Sequence, residues 1–179
     1  MIVNLLKVII ETPRLKLVPT SLQYAPEIFK ECTQEITTFM YPKPAKEIKE
    51  TEAFINTSIK EMENGETLQV VILNKNTGEF FGHGGAKNLK TDTPELGIWI
   101  KKGAHGNKYG REAVTGLKQW VDENIKYKYV IYPADRRNIA SRKIAESLGG
   151  ILEDEYPKEN ASGNILDMVE YRIYPLKSS

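Results

Sequence analysis

Two changes of hydrophobic period and two hairpin signals predict an α/β (α+β) fold, a mixed sheet carrying helices. Over residues 95–113, ELGIWIKKGAHGNKYGREA, Glu95, Gly97 and Trp99 alternate with Leu96, Ile98 and Ile100, the period of a strand. Past Gly103, Gly106 and Gly110 the period turns helical, with Val114, Leu117, Val121 and Ile125 at three- and four-residue steps. The runs Asn74 to Gly78 and Asn160 to Asn164 each separate two strand-like segments and read as hairpin loops.

The opening MIVNLLKVII is apolar but has no basic leader region, no small-residue cleavage site and about half a membrane span; residues 1–11 read as an extension or edge strand. Arg14 to Pro19 alternates in polarity as an early strand. Thr20 or Ser21 then caps a helix whose stripe is Leu22, Ala25, Ile28, Phe29 and Cys32. After Pro42 and Pro44, a second helix runs from Ile48 to Asn64 on Ile48, Phe54, Ile55, Ile59 and Met62, and Gly65 stops it. Strands follow at Thr67 to Leu73 and Glu79 to Ala86. Asp92-Thr93-Pro94 turns the chain into the strand at Glu95.

Beyond the central helix, Lys128 to Tyr132 forms a short strand ended by Pro133. A helix covers Asn138 to Leu148, with Ala140, Ile144 and Leu148 inward and Asn138, Ser141, Arg142 and Ala145 sharing another face. Strands at Ile151 to Tyr156 and Ile165 to Tyr174 close the chain. The order β-α-α-β-β-β-α-β-α-β-β, without repeat or linker, predicts a single domain over 1–179.

A formal charge of +1 with 27% charged residues excludes a general footprint for nucleic acid or anionic membrane. The single cysteine, Cys32, excludes an internal disulfide and fits a reducing, cytoplasmic compartment. His83 and His105 have no acidic or cysteine partners at ligand spacing, so no metal site is expected. What the sequence does offer is a strand, a glycine-bearing loop and a helix. That arrangement aims unpaired N–H groups and the positive end of a helix dipole at an anion. A Walker loop is excluded by the missing Gly-Lys-Ser/Thr, and Gly103, Gly106 and Gly110 lack dinucleotide spacing.

The ordered set Glu95 to Ile100, then Gly106-Asn107-Lys108-Tyr109-Gly110-Arg111-Glu112-Ala113, then Asn138-x-x-Ser141-Arg142 ending in Leu148-Gly149, resembles the GNAT superfamily of acetyl-CoA-dependent N-acetyltransferases. With Thr12-Pro13-Arg14-Leu15-Lys16-Leu17 as first strand, the chain is most similar to the branch of ribosomal-protein N-terminal acetyltransferases, from about residue 12 to 175. The resemblance implies a mostly antiparallel sheet of about six or seven strands, splayed at its centre and flanked by about four helices. It implies acetyl-CoA as co-substrate, its diphosphate on the amides of Gly106, Asn107, Lys108, Tyr109, Gly110 and Arg111, flanked by His105. The pantetheine arm then takes strand bonds from Ile98, Ile100 and Lys102, with Asn138, Ser141 and Arg142 on the far side. Taken alone, plainer jobs suit that last trio better: a cap for Asn138, a first-turn hydroxyl for Ser141, solvent for Arg142.

Two positions depart from the family's pattern. Lys108 stands where the loop usually has glycine, so either the residue is strained at positive φ or the loop stays right-handed. Ala145 replaces a tyrosine that protonates the leaving thiolate in many relatives. The reaction expected is direct transfer to a primary amine in a ternary complex. Glu95, starting the strand beside the expected acetyl site, is the candidate base or else a surface carboxylate, and Ser141 is the candidate to assist the thiolate or else a structural hydroxyl or cofactor contact. Phe39 and Tyr41 are candidates to line the acceptor pocket, settled by residues 35–52 with the loop around Asn160. The acceptor is a peptide N-terminus or a small amine, and the protein a monomer or homodimer. A non-catalytic acyl-CoA-binding module is the competing class, and a nucleotide-binding switch a more distant third.

Overall fold

The computed structural model describes residues 3–176, so the parts of the 1–11 extension and of the 1–179 domain that fall on 1–2 and 177–179 lie outside the described residues. Its strands are β1 (Ile10–Glu11), β2 (Leu15–Pro19), β3 (Leu68–Asn74), β4 (Phe80–Lys87), β5 (Glu95–Ile100), β6 (Val130–Asp135), β7 (Ile151–Glu159) and β8 (Ile165–Ile173). Its helices are α1 (Ala25–Glu31), α2 (Gln34–Thr37), α3 (Ile48–Glu63), α4 (Tyr109–Asn124) and α5 (Ile139–Ser147). All the strands join one eight-stranded sheet in the order β1-β2-β3-β4-β5-β6-β8-β7. Every pairing is antiparallel except β5 with β6.

Two elements exceed the sequence expectation of six or seven strands and four helices. The extra strand β1 is two residues long and the extra helix α2 is four, each too short for a period to reveal. The first predicted helix begins as a 3-10 turn at Leu22–Tyr24, which leaves Leu22 exposed and Phe29 and Cys32 half-buried; Ala25 and Ile28 carry the contact. In α3 the buried row is Thr51, Ile55, Ser58 and Met62, while Ile48 and Phe54 are exposed. A helix stripe follows its spacing of three and four residues even where two of its members are hydroxyls. Its start is fixed by a capping box, Glu47 with Glu50.

The core lies on both faces of the sheet. Leu15, Leu17, Val70, Ile72 and Leu96 meet Val114, Leu117 and Val121 of α4 in one buried cluster. Val71, Leu73 and Phe80 meet Ala25 of α1 and Ile55 of α3 in the other. β3 is buried on both faces, the reason Leu68 to Leu73 reads as a near-continuous apolar run rather than an alternation. Glycines in β4 let its neighbours approach: a Cβ on Gly84 would lie 2.3 Å from Ile98 Cγ2.

The decisive local feature is at β5 and β6. They are in register at one pair only, Glu95 with Ile131, the Ile131 N–H donating to the Pro94 carbonyl at 2.8 Å. Backbone groups alternate sides along a strand, so the next donor toward β5 belongs to residue 133. That residue is proline and has no N–H. The ladder stops there and the strands part. The expectation that Pro133 ends the strand is corrected, because β6 continues to Asp135, Pro133 pairing with Glu170 on the β8 side. Proline breaks one edge of the strand and leaves the other whole.

His83 faces into the α1–α3 side of β4. It is buried, its Nε2 lies 2.8 Å from Thr20 Oγ1, and its ring meets Phe54 edge-on at 5.6 Å. Burial, helped by the positive charge of Lys87, pulls its pKa down to about 4. The unfolded chain therefore binds a proton that the folded chain refuses between about pH 6.5 and 4. His83 thus costs nothing above pH 6.5 and withdraws stability as pH falls through that window, on the order of 3 kcal/mol in all. Denaturant melts of the wild type and His83→Gln at several pH values are expected to diverge in slope across it, the variant being the flatter.

Candidate active site

Between the end of β5 and the start of α4 the chain closes on itself. The His105 Nε2 bonds the Ile100 carbonyl at 2.7 Å, and Ala104 and His105 N–H groups donate back to Lys101 and Lys102. Gly106 then takes φ +80° and Lys108 φ +61°, the latter at the N-cap of α4. Of the two alternatives for Lys108, the left-handed one is realised. Among the described residues, none of the six amides from Gly106 to Arg111 donates to a backbone or side-chain acceptor. Six free donors at a helix N-terminus, with no Cβ on Gly106 and Gly110, form a cradle of the sign a diphosphate requires.

The cradle is held from outside by the first strand. Glu112, in the first turn of α4, accepts from Thr12 Oγ1 (2.6 Å), the Arg14 N–H (2.8 Å) and Arg14 Nε (2.6 Å). Arg14 Nη2 donates to the Asn107 carbonyl at 3.0 Å, and the guanidinium lies 4.6 Å over the Tyr109 ring, itself stacked on Phe81. Burial alone would raise the Glu112 carboxyl, but the bonds from Thr12 and Arg14 outweigh it and hold the pKa below the usual range. A trans peptide sets C=O and N–H on opposite sides, so drawing the Asn107 carbonyl toward Arg14 aims the Lys108 N–H away from it. The carboxylate nearest the cradle is thereby neutralised. No sequence pattern announces this clamp, whose partners are about a hundred residues apart.

The cradle opens onto the gap between β5 and β6. The Lys101 N–H donates to the Phe81 carbonyl at 2.7 Å, so by alternation Glu95, Gly97 and Trp99 bond to β4, while the backbone of Ile98 and Ile100 faces the gap. Lys102 falls in a 3-10 turn beyond the strand, and its ammonium pairs with Glu35 at 2.8 Å. A Cβ on Gly110 would lie 3.2 Å from Ile98 Cδ1 and 3.3 Å from Ile144 Cδ1, so the glycine lets α4 sit against both β5 and α5. On the opposite face of β5, Glu95 is half-buried and Gly97 exposed, with nothing within 4 Å of where a Cβ would stand.

In α5 the inward assignment is corrected. Ala145 is fully buried and Ala140 exposed, while Ile144 and Leu148 are half-buried. Asn138 caps the helix, its Oδ1 accepting the Ser141 N–H at 3.2 Å. Ser141 Oγ lies 3.1 Å from the phenol of Tyr132 on β6. Arg142 Nε donates to Tyr171 Oη at 3.0 Å and Nη1 to the Arg136 carbonyl at 3.2 Å, so this guanidinium is tied to the protein. Phe39 lies under the Arg137 guanidinium and Tyr41 under Lys158. Their segment is joined to the β7–β8 loop by the Ala161 N–H to the Tyr41 carbonyl (2.8 Å) and Asn160 Nδ2 to the Met40 carbonyl (3.3 Å).

Sequence reasoning missed Glu170. It stands on β8 opposite Pro133, and burial raises its carboxyl pKa; Arg172 pulls it down, and Asp154 and Glu95 push it up. Only its mid-strand position in an apolar run, with a charge where alternation faces the sheet's open side, hints at it. A groove of about 590 Å³ also abuts Lys108 and Arg111 on the flank of α4 facing the first strands. Its walls carry Arg14, Lys108 and Arg111 against Glu11, Glu112 and Glu123, so it presents no net charge of either sign.

The profile of the acetyltransferase (GNAT) domain matches residues 14–151, most of the chain. The chain belongs to the GNAT acetyltransferase family. Acetyl-CoA is the donor that this family uses, and the free amides and the gap fit its diphosphate and its arm. Comparison with curated proteins returned no match. Among solved structures, the GNAT fold is shared with RimL, a ribosomal L7/L12 alpha-N-protein acetyltransferase in complex with coenzyme A, at TM-score 0.81 and 16% identity over 93% of this chain and 98% of that one. The microcin C7 self-immunity acetyltransferase MccE, in complex with acetyl-CoA and AMP, superposes at 0.80 and 22% identity over 91% and 93%. A GCN5-related N-acetyltransferase from Brucella melitensis does so at 0.78 and 18% over 94% and 79%.

Two outcomes are expected from this geometry. Lys108→Gly relieves a left-handed side chain and raises stability by about 1 kcal/mol, or ~2–4 °C in Tm for a chain of this size, while Lys108→Ala leaves it near wild type. Titrating both GNAT variants with acetyl-CoA separates the two roles, since only an ammonium that touches phosphate makes alanine and glycine equally weak. Pro133→Ala returns an N–H to the gap edge and lets the ladder extend. Calorimetry is expected to find its acetyl-CoA affinity reduced by about tenfold, one to two backbone bonds' worth of competition.

Proposed function

We propose that this GNAT protein moves an acetyl group from acetyl-CoA directly to a primary amine, a peptide N-terminus or a small amine, in a ternary complex. The observation carrying this is the row of six free amides, Gly106 to Arg111, at the mouth of a gap that ends beside Glu95. Acetyl-CoA supplies a thioester already activated toward amines. The amides of Gly106 to Arg111 bind the diphosphate, flanked by His105. The gap-facing backbone of Ile98 and Ile100, with Lys102 beyond, holds the arm. Asn138 caps the start of α5 and Arg142 ties that helix to β8, and together they set the far wall.

An ammonium is not a nucleophile, so the acceptor loses a proton before it attacks. Glu95, at the last paired residue before the gap, takes that proton, with Glu170 as its neighbour on the same open face. Backbone N–H groups of β5 meet the charge that develops on the carbonyl oxygen. Ser141 donates a hydrogen bond to the departing sulfur, in place of the tyrosine that Ala145 lacks. Phe39 and Tyr41, on a segment bound to the β7–β8 loop, line the acceptor's approach. Burial raises the Cys32 thiol, which keeps it protonated and argues against an acetyl-enzyme. The likeness to RimL favours a peptide α-amine among acceptors.

Free thiol release is followed with acetyl-CoA and a panel of amines. Release that depends on an amine is expected; tight binding without release under every acceptor favours the acyl-CoA-binding module instead. Glu95→Gln is expected to lower turnover about 10²-fold with acetyl-CoA affinity unchanged. Glu170 and Glu95 repel one another, so Glu170→Gln removes a like charge beside the base and is expected to move the acid limb of turnover to lower pH. Cys32→Ser keeps full turnover, and its loss in a folded variant would point to a covalent intermediate.

A further inference from the structure

Ser141 is the only hydroxyl named above for the sulfur, and a hydroxyl can aim its proton anywhere on a cone. Its surroundings restrict that choice. Tyr132 stands on β6, the strand that forms one edge of the gap, and is 1% exposed. Its phenol has one partner among the described residues, Ser141 Oγ at 3.1 Å. Burial raises the phenol's pKa, so the group stays protonated at neutral pH. A buried O–H with a single acceptor in reach donates to it, because leaving the donor unpaired costs far more than the bond. The Ser141 oxygen is thus an acceptor toward Tyr132.

Ser141 Oγ has no second protein partner among the described residues, the Asn138 cap engaging only its N–H. Its own proton is left over, on a half-buried residue in the first turn of α5. We infer that Tyr132 is a positioning residue, which by donating to Ser141 Oγ turns the serine's proton into the gap toward the departing sulfur. The inference rests on the acetyl-transfer reading above and adds a residue to it. Ala145 and Tyr132 then belong to one account. The face that lost a tyrosine on α5 holds one on β6, acting through the serine rather than touching the sulfur. A donor already accepting a bond is a better donor, since paired hydroxyls polarise one another. No proton needs to leave either residue, because a hydrogen bond to the thiolate suffices to ease its departure.

The test reads the thiol of bound coenzyme A by ultraviolet titration of its thiolate, alongside turnover. In the wild type the bound thiol is expected to ionise at lower pH than in Ser141→Ala. Tyr132→Phe should move it up by about half a unit to one unit and lower kcat roughly three- to tenfold, with KM for acetyl-CoA unchanged. In the Ser141→Ala background Tyr132→Phe should add nothing, a coupling that loss of packing alone would not produce. If Tyr132→Phe does not fold, difluorotyrosine at position 132 keeps the ring and strengthens the donor, and the bound thiol should then titrate lower still. An unmoved thiol titration in either Tyr132 variant, while Ser141→Ala shifts it, overturns the inference and leaves the acetyl-transfer reading standing. Failure of the wild type to bind coenzyme A removes both.

Discussion

A nitrogen without a hydrogen decides the shape of this protein's centre. The only parallel pairing in the sheet begins at Glu95 and Ile131 and would continue through residue 133, where proline offers nothing to β5. The consequence is a split in a sheet that is otherwise continuous from β1 to β7. Unpaired strand groups in an interior are costly, and here they face a gap rather than packed side chains. The backbone of Ile98 and Ile100 is left to bond an extended ligand as a neighbouring strand would. β6 meanwhile keeps its ladder to β8 from Val130 to Asp135, so the opening is bounded by rigid edges.

The second requirement is an anion seat at the mouth of that opening, and it is built against local preference. Lys108 adopts a backbone conformation that suits glycine. Such strain, about 1 kcal/mol, persists only where neighbours over-determine it. They do so here: the Arg14 guanidinium holds the carbonyl just before Lys108, and Tyr109 just after it is pinned between Arg14 and Phe81. The same guanidinium cancels Glu112, which would otherwise repel an anion from the first turn of α4.

Much of this was legible in the sequence. The alternation at Glu95 to Ile100, the glycines after it and the helical spacing from Val114 located strand, cradle and helix, because short-range periodicity is a direct image of which side is buried. The Asn138, Ser141 and Arg142 spacing put three polar groups at the start of α5. What stayed hidden depends on partners far apart in sequence. Pro133 reads as a strand end until its two edges are known to face different neighbours. Arg142 reads as free until Tyr171 is placed beside it, and Tyr132 reads as core until Ser141 is found on its hydroxyl. Glu170 looks like one charge among many until Pro133, Asp154 and Glu95 surround it. The spacing also puts Ala140 and Leu22 on packed stripes, yet both lie exposed near the starts of their helices.

The clamp from Arg14 to Glu112 and Asn107 also bears on how the chain comes to its native state. These contacts close loops of about a hundred residues, among the last that a polypeptide completes, since long loops pay their closure entropy before any contact repays it. A half-assembled chain would have α4 and its free amides but not the guanidinium that orders them. The cradle proposed for a diphosphate is therefore complete only when both ends of the first two-thirds of the sequence have met. A molecule bound there would stabilise the finished protein and no precursor.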